Sequence, residues 1–288
     1  MEFKNPYKNI NNRKFNTWCK YTLRIDTYGC GCEHNCCYCY AKTLLSFRGL
    51  WNKTPKIASI QNIENIIINE FAQLKLNFEN FTDNIVVKLG GMTDCFQPVE
   101  LENKVTYKTI LLLNKYKIHY LIVTKSDLVI NDNYLKIYDK NLAHFQITIT
   151  STDDKKCIEY EHAPVTSKRI KAVELLQKLG YDVSVRLSPF IPDFIDFKAI
   201  NKIKCDKILI EFLKVNHFVK KWFNIDYSNY MVKFGGYRHL PLFEKIQYVS
   251  KITGFKQKTV GEYVSEHHDY FSKHVNFNKN DCCNLKLF

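Results

Sequence analysis

The stretch Gly29-Cys30-Gly31-Cys32-Glu33-His34-Asn35-Cys36-Cys37-Tyr38-Cys39-Tyr40-Ala41 holds five of the 11 cysteines of this 288-residue chain. Within it Cys32, Cys36 and Cys39 take the spacing C-x3-C-x2-C. Thiolates are soft donors, and three of them on one short loop can reach three corners of an iron–sulfur cube. One iron then lacks a protein ligand, much as catalytic zinc sites keep one coordination position open. The competing reading is a structural zinc site with His34 or Cys37 as fourth ligand. No second CxxC pair follows at finger-like distance, which weighs against zinc.

Outward from this loop the chain alternates short β-branched runs with longer amphipathic ones. Strands are expected at about Tyr21 to Tyr28, Asn84 to Leu89, His119 to Thr124, His144 to Thr150, Asp182 to Leu187 and Lys207 to Phe212. Helices are expected near Tyr40 to Gly49, Ile63 to Leu76, Glu100 to Lys115, Asn133 to Lys140, Thr166 to Leu179 and Phe197 to Lys204. The helix from Thr166 is clearest: Ile170, Val173, Leu176 and Leu179 share one face, and Gly180 supplies the stop. This order predicts an α/β fold with a parallel sheet and helices outside it. After Leu213 the tail turns Tyr-, Phe- and Lys-rich, with helices expected near Leu240 to Thr253 and Thr259 to His274. The expected division is an N-terminal extension (1–20), an α/β body (21–215) and a C-terminal helical extension packed on it (216–288). Parallel α/β folds place their chemistry in the loops at the carboxyl ends of the strands, where the cysteine loop falls.

Composition bounds the function classes. With 45% hydrophobic residues, 10 Gly and 7 Pro, the chain can bury a core and carries no low-complexity tract. Its 42 Lys and Arg against 29 Asp and Glu leave a net charge of +13, which makes nucleic acid the leading partner class. No apolar run approaches the roughly 20 residues of a membrane helix, and the N-terminus has no hydrophobic signal core, so a cytoplasmic protein without a membrane partner is expected. In a reducing compartment, grouped cysteines imply a metal or redox role rather than disulfides. Cys19, Cys157 and Cys205 read as small apolar filler.

The pattern C-x3-C-x-aromatic-C after the first strand resembles the radical S-adenosylmethionine (SAM) superfamily. The resemblance implies a partial (β/α)6 TIM-like barrel with a [4Fe-4S] cluster on Cys32, Cys36 and Cys39. Its open iron would chelate SAM, whose cleavage yields a 5′-deoxyadenosyl radical that abstracts hydrogen from the substrate. It also implies Tyr38 against the adenine and a flavodoxin- or ferredoxin-type electron donor. Further segments are similar to the spore photoproduct lyase and SplB-like group. Residues 29–41 match its cluster loop, Leu89 to Glu100 its G-x-x-T-D-P-Y-Q-P-x-E segment, and Thr124-Lys125-Ser126 its T-K-S. Further echoes are Ile149-Thr150-Ser151, Glu161-His162-Ala163-Pro164 ahead of Arg169, and Ser188-Pro189-Phe190-Ile191-Pro192. The resemblance spans about residues 25 to 215.

On this footing Gly90 and Gly91 allow the backbone to approach SAM's amino group, with Thr93 and Asp94 in the same segment. Lys125 is expected to pair with the SAM carboxylate, Thr150 and Ser151 to offer hydroxyls to the ribose, and Arg186 and Ser188 to occupy the matching place on the fifth strand. Cys95 stands where the related segment has Pro. A thiol can return hydrogen to a product radical, so Cys95 is the candidate donor, with Cys282 and Cys283 as rivals. In the tail, His217, Lys220, Lys221, Trp222, Tyr227, Tyr230, Lys233, Tyr237 and Arg238 suit a nucleic-acid groove, the alternative being a helical cap with a solvated Lys face. The expected activity is hydrogen abstraction from a thymine-derived base in DNA, by lyase-type repair or rearrangement. The alternatives are a radical SAM enzyme for a peptide or small molecule, and a non-catalytic metal-binding nucleic-acid module.

Overall fold

The computed structural model describes residues 23–72, 86–279 and 281–285. The expected extension 1–20, Cys19, the outer ends of the first two expected strands and residues 73–76 of the second expected helix lie outside the described residues. Seven strands form one sheet: β1 (Arg24–Ile25), β2 (Val86–Leu89), β3 (His119–Thr124), β4 (Ala143–Ile149), β5 (Asp182–Phe190), β6 (Lys207–Phe212) and β7 (Gln257–Val260). They lie side by side in chain order and every pairing is parallel. β1 and β7 are the two edges, so the structure is a partial barrel open along one seam.

Side chains alternate between the two faces of each strand, and the sequence uses the two faces differently. Phe145, Ile147, Val183, Val185, Ile208 and Ile210 are buried in the core that also holds Ala172, Val173 and Leu176 of the helix Thr166–Lys178. The opposite face carries Lys88, His144, Gln146, Asp182, Arg186, Lys207 and Glu211. The register sets His144 beside Asp182 and Thr148 beside Arg186, so these polar residues meet inside the barrel. A polar lumen results.

Several elements differ from expectation for identifiable reasons. The helix expected over Glu100 to Lys115 is two helices, Glu100–Asn103 and Val105–Lys115, broken at Lys104 with φ of 52°. The buried Glu100 carboxylate explains the break, because it accepts the Thr106 and Tyr107 N–H groups at 2.9 Å each and so caps the second helix. The helix expected from Thr259 begins at Ser265, because Thr259 and Val260 belong to β7. Four residues reading QKTV carry no strand signal of their own; pairing with Lys207 to Ile210 of β6 makes the strand. The tail is therefore not purely helical: it completes the sheet and adds an antiparallel pair, Val232–Phe234 with Tyr237–His239, turned through Gly235 and Gly236.

The tail also closes the amino end of the lumen. Lys207 Nζ donates to the Asn284 carbonyl at 2.6 Å and lies 2.7 Å from Asp182. Cys283 and Leu285 pack on Val86 and Leu121. His144 Nδ1 is 2.6 Å from Asp182, and its Nε2 is 3.2 Å from His119.

Candidate active site at the carboxyl ends of the strands

The cysteine loop begins where Tyr28–Gly29 pairs with Lys56–Ile57. Gly31 is required there: a Cβ would lie 2.6 Å from the Asn52 carbonyl oxygen. Cys39 caps the helix Tyr40–Phe47, its sulfur accepting the Lys42 N–H at 3.4 Å. Burial and the Asp94 carboxylate push the Cys32 thiol up to about 12, partly offset by backbone N–H groups of Asp94 and His34 directed at its sulfur. Burial likewise raises Cys36, against the nearby Lys125 ammonium, and both Cys32 and Cys39 add to the rise. The three thiols thus share one electrostatic environment.

A buried ion pair pins this loop from behind. Glu161 and Arg169 are each within 1% of full burial and in direct contact. Burial would raise the Glu161 carboxyl, but Arg169 and Lys125 hold it down at about 2. Its oxygens also accept the Tyr38 hydroxyl and, at 2.9 Å, the Thr150 hydroxyl. Above it Cys37 N–H donates to the Tyr160 carbonyl at 2.9 Å.

Three of the residues expected near the cofactor lie in or beside this network. Tyr38 is buried, its hydroxyl on Glu161 and its ring against Tyr160 and Phe223, and so anchors the loop. Thr150 and Ser151 are both fully buried, and the Ser151 Oγ is committed to the Asp153 N–H at 3.0 Å.

Asp94 is a scaffold as well. Its carboxylate accepts the Phe96 N–H at 2.9 Å, the Thr124 hydroxyl at 2.7 Å and the Lys125 N–H at 2.7 Å, and lies 3.2 Å from His34. Burial would raise its carboxyl, but His34 and these donors bring it down to about 2. Thr93 donates its hydroxyl to the Tyr28 carbonyl. Gly90 and Gly91 turn the chain above β2: a Cβ on Gly90 would meet the Val123 carbonyl at 2.4 Å, and one on Gly91 would meet Arg24 at 2.9 Å. The Lys125 ammonium faces Cys36 and Glu161 and lies 5.7 Å above the Tyr38 ring.

In the lumen Arg186 joins Gln146 to Glu211, and Ser188 Oγ donates to Glu211 at 2.7 Å. Burial would raise Glu211, but Arg186 and Lys88 lower it. Tyr40 reaches the Gly91 carbonyl yet stays 59% exposed, so this end of the lumen opens to solvent. Sequence reasoning missed Arg24, Asp26, Tyr40, Lys88, Gln146 and Glu211. For all but Tyr40, which opens a helix, a signal existed: polar residues at every second position along or just past strands in a parallel sheet.

The three candidate thiols are not brought together. Cys95 is 1% exposed beneath Gly90, whose ideal Cβ would be 3.5 Å from its sulfur, and burial holds its thiol protonated. Cys282 and Cys283, with sulfurs 3.9 Å apart, lie at the closed amino end, below Gln146. They are separated from the cysteine loop by the Gln146–Arg186 layer.

No protein-family model matches the chain. An uncharacterised protein of Methanocaldococcus jannaschii is 27% identical over 173 residues, which span 59% of this chain and 61% of the relative. A spore photoproduct lyase variant with bound AdoMet and dinucleoside spore photoproduct superposes with a TM-score of 0.59 at 15% identity, covering 86% of this chain and 79% of its own. A second lyase variant gives 0.62 at 14% identity, over 91% and 80%. Streptococcus suis SuiB bound to S-adenosylmethionine gives 0.52 at 13% identity, over 88% of this chain and 55% of that one. The fold is that of the radical SAM enzymes.

The sequence resemblance to radical SAM proteins implies an iron–sulfur cluster, and the donor set here fits one. Cys32, Cys36 and Cys39 are free thiols, with N–H groups directed at two of the sulfurs and a lysine beside the third. Among the described residues no three His, Cys, Asp or Glu side chains converge as around a single ion. A four-iron cube is wider than one ion and spreads its ligands accordingly. No helix of the described residues is long and apolar enough to cross a membrane.

Proposed function

We propose that the chain is a radical SAM enzyme that abstracts hydrogen from a thymine-derived base in DNA, by lyase-type repair or rearrangement. The observation that carries this reading is the position of the C-x3-C-x2-C loop at the open, polar end of the lumen. Cys32, Cys36 and Cys39 would hold a [4Fe-4S] cluster, which when bound supplies the electron that splits SAM and releases a 5′-deoxyadenosyl radical. Gly90 and Gly91 let the chain turn closely against Val123 and Arg24 above β2, where the cofactor's amino group would be held, and the Arg186 guanidinium, already on Glu211, gives the lumen a fixed cation. Glu161 and Arg169 hold the loop rigid while Asp94 ties it to the end of β3. Support for a polyanionic substrate comes from the +13 charge. A flavodoxin- or ferredoxin-type electron donor in the cytoplasm would reduce the cluster.

Anaerobic reconstitution followed by assay of 5′-deoxyadenosine from SAM tests the proposal. Wild type should form it and Cys32→Ala should lose at least about 100-fold, because two thiolates cannot hold the cube. Protein that binds zinc in place of iron and makes no 5′-deoxyadenosine would defeat the reading. Cys95 is proposed as hydrogen donor, so Cys95→Ala should change the product distribution; an unaltered product would remove it from that role.

A further inference from the structure

Between Glu33 and Glu64 the chain contains no acidic residue, while Lys42, Arg48, Lys53 and Lys56 fall in that interval. The same interval leaves large apolar side chains uncovered: Phe47 is 78% exposed, Leu50 46% and Ile57 45%. The reason is local. The helix Tyr40–Phe47 buries only Ala41 and Thr43, and the loop that follows returns to pair Lys56–Ile57 with Tyr28–Gly29. Arg48, Lys53 and Lys56 are all exposed around these apolar groups.

This lip is not a loose loop. Asn52 N–H donates to the Cys30 carbonyl at 2.6 Å, and the carbonyls of Asn52 and Thr54 close over Gly31. It is therefore carried on the cysteine loop itself, at the β1 edge of the seam. Across the seam, at the β6–β7 edge, the pair Val232–Phe234 and Tyr237–His239 is attached through Val215 and Arg238.

We infer that the lip formed by Phe47, Arg48, Leu50, Lys53 and Lys56 is a contact surface for a single strand of nucleic acid, and guides it over the seam into the lumen. The inference rests on the proposed DNA substrate and assigns the surface that receives it. Cations spaced among exposed rings and aliphatic groups match a phosphate backbone with bases on one side. The chain's own residues 1–22 are a poor occupant, because Lys4, Lys8, Arg13, Lys14 and Lys20 against Glu2 give them the same sign as the lip.

The test is fluorescence anisotropy of a labelled oligothymidylate with the full chain at stepped salt concentrations. The variants are R48Q/K53Q/K56Q and, separately, Phe47→Ala, with thermal melting to confirm that each stays folded. All four side chains are at the surface, so folding should survive. Each lost phosphate contact lowers the slope of log affinity against log salt by about 0.7, so the triple variant should lose about 2 in slope and at least about tenfold in affinity near physiological salt. Phe47→Ala should weaken binding about fivefold or more with the slope unchanged.

Wild-type binding that the variants leave intact overturns the lip and spares the DNA reading. Absence of wild-type binding at any salt overturns the DNA reading, and the lip with it. Unchanged DNA affinity with a shifted sedimentation coefficient gives the lip to a second copy of the chain. Unchanged DNA affinity with slower reduction by an acidic flavodoxin gives it to the electron donor. Either result also overturns the proposal.

Discussion

At the amino end of the lumen, Asp182 receives Lys207 and His144, and the main chain at Asn284 takes a further proton of Lys207. All three side chains are almost completely buried. At the carboxyl end, Arg186 and Glu211 form a similar pair, but Tyr40 beside them is mostly exposed and the charges face an opening. The strands supply the same kinds of polar residue at both ends. What differs is the cover: residues 281–285 fill one end, and nothing in the described chain fills the other. Burial makes a charge pair structural, and an opening leaves it available to a ligand.

The largest expected effect tests the covered end. Asp182→Ala strands Lys207 beside His144 without a counter-charge and should cost about 3–5 kcal/mol in urea unfolding. A loss below about 1 kcal/mol would mean that the two ends do not differ as described. At the open end, Arg186→Gln should move the urea midpoint little, while SAM or substrate binding by the reconstituted protein weakens about tenfold. If stability falls as far as in Asp182→Ala, Arg186 is a structural residue too.

Acid gives a finer contrast. Burial would raise the Asp182 carboxyl, but His144 and Lys207 hold it well below its ordinary 3.8. A carboxyl depressed by folding contributes stability above its unfolded value and loses it as pH falls below that value. The wild-type urea midpoint should therefore drop on acidification below about pH 4, and the drop should be shallower in Asp182→Asn. Equal slopes would show that Asp182 is not held down. The smallest effect is expected at Cys282, half-buried at the rim of the plug: Cys282→Ala should change stability by no more than about 0.5 kcal/mol and leave 5′-deoxyadenosine formation intact.

How much of this was legible depended on where the information lay. The helix Thr166–Lys178 and strands β3 to β6 showed in local periodicity, because each buries one face against the other. The cysteine loop showed because ligand spacing is a local property. β7 did not, since its strand state comes from β6, which lies far away in the chain. Nor did the break at Lys104, because Glu100 reads as an ordinary helix opener until its carboxylate is seen turned back onto Thr106 and Tyr107. Tyr38, Thr150 and Ser151 were legible as loop and strand-end positions, but spacing locates a residue there without telling which protein groups it meets. Glu161 and Arg169 did not show as a pair, because only the fold brings them together behind the loop.

β7 and the 281–285 plug lie downstream of the six strands they complete. During translation the ribosome therefore releases a barrel whose base is still missing, with Lys207 and Asp182 wet and the apolar Val86 and Leu121 uncovered. The loop carrying Cys32, Cys36 and Cys39 is already out by then, so those thiols are exposed before the foundation beneath them is laid.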